Sequence, residues 1–190
     1  MNDRLIHQHF AAARQRYVYG LDADRVLVAD GFMAMALPRD HVAFDSRTLY
    51  SRLPEVGEAA GASSSVARPL ERMWRKEPTV ANYAVRPSRL FRKVGAMSAR
   101  VFLPVEESQR WAIHVQEMFV DLFGDDAAIE GLTYRTAGPH SPMIVFDGDE
   151  QIAVIMPIHV HVPPEEIDDA HFAAIYPGWA DYASEEDFDG

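Results

Sequence analysis

Residues 25–38, RVLVADGFMAMALP, and residues 143–160, MIVFDGDEQIAVIMPIHV, decide how this chain folds. Each reads as an apolar strand, an Asp-Gly turn, a second apolar strand and a proline. Asp-Gly between apolar runs is a strong short-range hairpin signal, because glycine takes the left-handed backbone that a tight turn needs. Pro38 stops the first hairpin, and Gly148-Asp149 turns the second. Continued to RVLVADGFMAMALPRDHV and PMIVFDGDEQIAVIMPIHV, the two stretches both end in a His-Val pair, and each follows a stretch read as helix. Two copies of helix plus hairpin predict an α+β fold, one domain made of two similar halves packed side by side.

Working outward, residues 4–18 place Leu5, Ile6, His9, Phe10, Ala13 and Tyr17 on one helical stripe, with Asp3 as N-cap and Gly20 as terminator. Asp45 or Ser46 can cap a short helix through Leu53, closed by Pro54. The small, polar stretch EVGEAAGASSS predicts a flexible loop near 55–67. RPSRLFRKVGAM reads as a turn or short helix with Leu90, Phe91 and Val94 pointing inward, and ARVFLPV as a strand broken by Pro104. The segment EESQRWAIHVQEMFVDLFGDD carries Trp111, Val115, Met118, Phe119 and Leu122 at helical spacing and predicts the clearest helix of the chain, ended by Gly124. The domain is expected over 1–160. Residues 161–190 form an acidic C-terminal extension, with a short helix near 165–175 and then an extended end.

With 190 residues, 48% of them hydrophobic, the chain can bury one core and has little material for two. It contains no cysteine, which removes disulfides, thiolate metal sites and thiol nucleophiles together and fits a reducing compartment. MNDRLIHQHF lacks an apolar leader region, and no run approaches membrane-spanning length, so a cytoplasmic location is expected. The net charge of −11 is unevenly spread. Nine basic residues lie between Arg68 and Arg100 against Glu71 and Glu77, a local +7, whereas Asp147 to the end holds twelve acids and no Lys or Arg. A basic face for an anionic partner is one reading, with the acidic end screening it or engaging another protein. Mutual pairing or plain solvation of the two segments is the other.

Catalytic signatures are missing. No Gly-x-Ser-x-Gly elbow occurs, and Gly57, Gly61 and Gly95 fit no phosphate-cradling spacing. Glu106-Glu107 and Asp125-Asp126 read as helix-end carboxylates, explained by capping or solvation. No cofactor is implied. His159 and His161 flank Val160, so in a strand both imidazoles face one way, and with Glu165, Glu166 or His171 they could hold a divalent ion. This gives an enzyme alternative, a metal-dependent hydrolase or oxygenase; otherwise the His-x-His is polar decoration at a strand end. A third reading takes Tyr176, Trp179, Tyr182 and Phe188 as an aromatic, acidic tail that docks on a partner.

VLVADGFMAMAL resembles the strand–turn–strand of bacterial DNA polymerase sliding clamps, the beta processivity factors, in which Thr-Asp-Gly-His-Arg-Leu is typical. VIMPIHV is similar to that family's Val-Met-Pro-Met-Arg-Leu ending, and WAIHVQEMFVDLFGD followed by YRTAGPHSPMIVF resembles what precedes it. The likeness covers about residues 5–53 and 100–160. It implies a processivity-type fold with helices inside and sheets outside, a role in DNA replication without catalysis, and a shallow apolar pocket that receives short peptides of polymerases and other replication proteins. The matching pocket positions are Gly31, Phe32 and Met33, then Met156, Pro157, Ile158, His159 and Val160. Met side chains suit a groove that adapts to varied ligands. Phe32-Met33 stands where the family has His-Arg, and His159 where it has Arg. The family chain has three domains and this one has room for one, so a ring around DNA implies a homo-oligomer closed head to tail, of a kind a phage or mobile element could encode. The DNA-facing residues would then be Arg68, Arg72, Arg75, Lys76, Arg86, Arg89, Arg92 and Lys93.

Overall fold

The computed structural model describes residues 1–13, 16–41, 44, 53–60, 72, 74–75, 78–106, 109 and 111–159. Both Asp-Gly stretches form hairpins, and they lie next to each other in one sheet. The first pairs β2 (Arg25–Ala29) with β3 (Met33–Pro38), and the second pairs β9 (Met143–Asp147) with β10 (Glu150–Ile155). β3 and β10 are neighbours, with Met35 opposite Ala153 and Met33 opposite Ile155. The remaining strands are β1 (Tyr17–Gly20), β4 (Ala59–Ala60), β5 (Tyr83–Val94), β6 (Met97–Pro104), β7 (Ile113–Gln116) and β8 (Thr133–Thr136). Together they make a ten-stranded antiparallel sheet of order β4-β1-β2-β3-β10-β9-β8-β5-β6-β7. The fold is thus mixed α and β, dominated by this sheet.

The near-continuous apolar runs follow from burial on both faces of the sheet's centre. Alternation sends Val26, Val28, Met33, Met35, Leu37, Val145 and Ile155 to one side, where they meet Ile6 and Phe10 of α1 (Asp3–Ala12). Phe119, Leu122 and Phe123 complete this core from α2 (Glu117–Val120) and the 3-10 turn Asp121–Phe123. Leu27, Ala29, Ala34, Ala36 and Val154 point the other way and pack with Tyr19 and Trp74. A short α3 (Asp126–Glu130) is capped by Asp125, whose side chain accepts from the Ala128 amide at 3.0 Å. Capping is one of the two roles expected of the Asp125-Asp126 pair and falls to Asp125 alone, since Asp126 accepts from Arg100 at 2.9 Å.

Four expectations are corrected. The first helix is capped by Asn2, not Asp3, and ends at Ala12; Tyr17–Gly20 is already strand, paired with β2 and β4. Gly20 is required by close approach rather than as a helix stop, because a Cβ there would lie 2.0 Å from the Glu55 carbonyl oxygen. The long helix expected after Glu106 is mostly absent among the described residues. Ile113–Gln116 pairs with β6 instead, since Ile113 and Val115 alternate into the core across from Phe102 and Arg100. RPSRLFRKVGAM is neither turn nor helix but the hairpin β5–β6, in which Phe91 is 53% exposed rather than inward. A bulge between Pro87 and Phe91 lets a proline sit within β5, with the Ser88 hydroxyl donating to the Val101 carbonyl at 2.8 Å.

Pro104 ends β6 as expected, and Ala59–Ala60, inside the anticipated loop, pairs with β1. Residues 45–52 of the helix expected through Leu53, the helix expected near 165–175 and the acidic extension lie outside the described residues.

Candidate functional site

The turn of the first hairpin is built by Asp30. Its carboxylate accepts from the amides of Phe32 and Met33, both at 2.9 Å, while Gly31 takes φ 96. That geometry turns Phe32 outward, 65% exposed, and sends Met33 into the core. From beneath, His9 of α1 places Nε2 2.7 Å from the Asp30 carboxylate, with both side chains almost fully buried. An ionised carboxylate only accepts, so Nε2 carries the proton of this contact. Burial alone would raise the Asp30 pKa; the His9 bond and the two turn amides outweigh it and hold the carboxyl below its ordinary value. The His9 ring stands edge-on to Phe10 and Phe119, at 5.0 and 5.4 Å between centroids, which fixes the helix under the turn.

Pairing of β3 with β10 sets the end of the second hairpin beside the turn of the first. The Met156 amide donates to the Phe32 carbonyl at 2.7 Å, and two residues later the Ile158 amide donates to the His114 carbonyl of β7 at 2.7 Å. The sheet therefore curls far enough for the chain leaving β10 to reach a strand five places away. Of the expected pocket positions, Phe32 thus bonds Met156, and Met33 lies opposite Ile155, whereas Ile158 is tied to β7; Val160 lies outside the described residues. Met33 and Pro157 are buried. Phe32 and His159 are exposed, and Met156 and Ile158 half-buried. His159 faces His140 of the β8–β9 loop, Nδ1 to Nδ1 3.4 Å.

Of the basic residues, Arg86, Arg89, Arg92 and Lys93 share strand β5. Arg86 lies opposite Leu103 and Arg92 opposite Ala99, on the face away from α1, while Lys93 lies opposite Ser98 on the α1 side. Arg89 and Lys93 are exposed, Arg86 and Arg92 half-buried. Arg72 and Arg75 are exposed beside Trp74, and Arg68 and Lys76 are outside the described residues. Arg100, counted with the basic run, belongs to the core. It is 8% exposed, bonded to Glu117 at 3.1 Å and Asp126 at 2.9 Å, with its guanidinium 5.1 Å from the centroid of the Phe91 ring. Burial raises the Glu117 pKa despite this partner.

Nothing in the sequence announces the His9–Asp30 contact, which joins the helical stripe to the hairpin turn across 21 residues. His114, inside the stretch expected to be the main helix, lies instead in β7 with its ring buried, where desolvation, then Arg92, lowers its pKa to about 4. No group of three or more His, Asp or Glu side chains able to hold a metal occurs among the described residues, and none of their helices is long and apolar enough to cross a membrane. Compared with protein-family models, with curated proteins and with solved structures, the chain matches none.

Proposed function

We propose that this chain is a non-enzymatic, sliding-clamp-like accessory factor of DNA replication that binds short apolar peptides of partner proteins at the Phe32–Met156 seam. The observation that carries the reading is the Met156–Phe32 backbone bond. It sets the two stretches matched to the clamp pocket, far apart in sequence, side by side, with the exposed Phe32 ring at their junction. The order of elements adds support. A helix followed by a three-stranded meander occurs twice, as α1–β1–β2–β3 and α3–β8–β9–β10, and the meanders run outward from the β3/β10 seam in mirrored order. Two similar halves would produce that arrangement.

The test is fluorescence anisotropy with a labelled apolar peptide from the C-terminus of a replicative polymerase. Binding in the micromolar range is expected, and Phe32→Ser should weaken it about tenfold or more, since exposed aromatic anchors dominate such contacts. Phe32 is exposed, so the variant keeps its fold. No binding at about 100 μM, a level near the floor of specific recognition, or an unchanged Phe32→Ser variant, refutes the reading.

DNA contact is a second component, favoured by the four cations that share β5. A helix-lined ring would carry Arg86 and Arg92 on its outer surface. The contact is therefore proposed for the β5–β6 hairpin, where Arg89 and Lys93 are exposed, rather than for an α1-lined channel.

A further inference from the structure

We propose that His140 and His159 form a two-imidazole site for a divalent transition-metal ion of the zinc class. The two residues come from different elements, the β8–β9 loop and the segment that follows β10. Their Nδ1 atoms lie 3.4 Å apart, while the ring centroids are 5.4 Å apart and the planes tilted by 31°. The nitrogens are thus 2.0 Å closer than the rings (5.4 minus 3.4), so the Nδ1 edges converge rather than stack. A direct N–H···N bond would draw them to about 3.0 Å. Two imidazole ligands of a tetrahedral zinc ion, each about 2.0–2.1 Å from the metal, sit roughly 3.3–3.4 Å apart. The observed separation is the span of such a pair.

Both backbones are held in place before any ion arrives. Thr136 Oγ1 donates to the Gly138 carbonyl at 2.9 Å and accepts from the Gly138 amide at 3.2 Å; the Ser141 amide then donates back to Gly138 at 3.1 Å, bracketing His140. His159 directly follows Ile158, whose amide is tied to β7. Both imidazoles are solvent-exposed, so an ion can enter and water can fill its remaining positions. Imidazole nitrogen suits zinc, copper and nickel better than magnesium or calcium. Among the described residues no third His, Asp or Glu completes the shell, which predicts a micromolar site rather than a structural one. The inference does not depend on the peptide reading, and it pairs His159 with His140 instead of with His161.

Calorimetric titration of the chelator-treated full chain with Zn²⁺ tests it, alongside His140→Ala, His159→Ala and, as a control on α1, His7→Ala. One Zn²⁺ per chain is expected, weakened at least about tenfold in His140→Ala and in His159→Ala and unchanged in His7→Ala, because loss of one of two protein ligands removes half the chelate. Circular dichroism of the exposed-site variants should match the parent. The proposal is overturned if the parent chain takes up no Zn²⁺ at about 100 μM, or if His140→Ala binds as the parent does.

Discussion

His114 shows how a single ring can set the acid stability of the fold. It is 3% exposed in β7, where desolvation and then the nearby Arg92 lower its pKa from 6.5 to about 4. The unfolded chain therefore binds a proton between those two values while the folded chain does not. Its contribution is complete above about pH 6.5 and is lost as pH falls through about 4, with a total of roughly 3 kcal/mol. Urea denaturation at pH 7.0 and 4.5 should show this loss, and His114→Leu should flatten it; an equal slope in the variant would assign the acid sensitivity elsewhere. Gly20 makes the complementary steric case. Its φ is not in the left-handed region, so space alone excludes a side chain, with the Glu55 carbonyl 2.0 Å from where a Cβ would stand. Gly20→Ala should cost about 2–3 kcal/mol by pushing apart β1 and the Pro54–Glu58 segment. A loss under about 0.5 kcal/mol in denaturant melts would show that the segment yields freely.

At the level of elements, what could be read in advance depended on how local the cause was. The hairpins at Asp30-Gly31 and Gly148-Asp149 were legible because turn chemistry and apolar runs lie within a few residues of each other. β7 was not, because Trp111, Val115, Met118 and Phe119 satisfy helical spacing as well, and it is pairing with β6 that selects the strand. β5 was hidden by Pro87 and by its charges; a bulge accommodates the proline, and the charges suit a strand with solvent on both edges of its hairpin tip. The pocket halves were named from resemblance, yet nothing local in the sequence announces that Ile158 reaches His114. The β5 strand also carries a prediction of its own. Arg89, Arg92 and Lys93 lie within five residues, so the triple change Arg89→Glu, Arg92→Glu, Lys93→Glu should abolish salt-dependent binding to duplex DNA in a filter or anisotropy assay. Peptide binding at Phe32, on the first hairpin, should survive it. DNA binding that persists with an unchanged salt slope would remove β5 from the interface.

For the whole molecule, the open question of assembly turns on the sheet's two outer strands. A ring of single-domain copies must close through repeated head-to-tail contacts, and unpaired strand edges are the obvious place to make them. Here those edges are short. β4 has two residues, and β7 has four, one of whose carbonyls, that of His114, already accepts from Ile158. These two strands leave few backbone bonds to join copies edge to edge, and the longer free edge, β5 beyond Val85, carries Arg86, Arg89, Arg92 and Lys93, whose like charges oppose pairing with a second copy. A closed ring would have to rest on side-chain contacts burying on the order of 1,000 Å² or more per junction. The expected light-scattering mass at micromolar concentration is therefore that of one chain, 21.3 kDa. That mass would confine the clamp likeness to a peptide-binding module and leave DNA contact to the β5–β6 hairpin. A mass of several chains would reverse the argument: it would require an interface beyond the strand edges and restore the ring, with Arg86 and Arg92 on its outer wall.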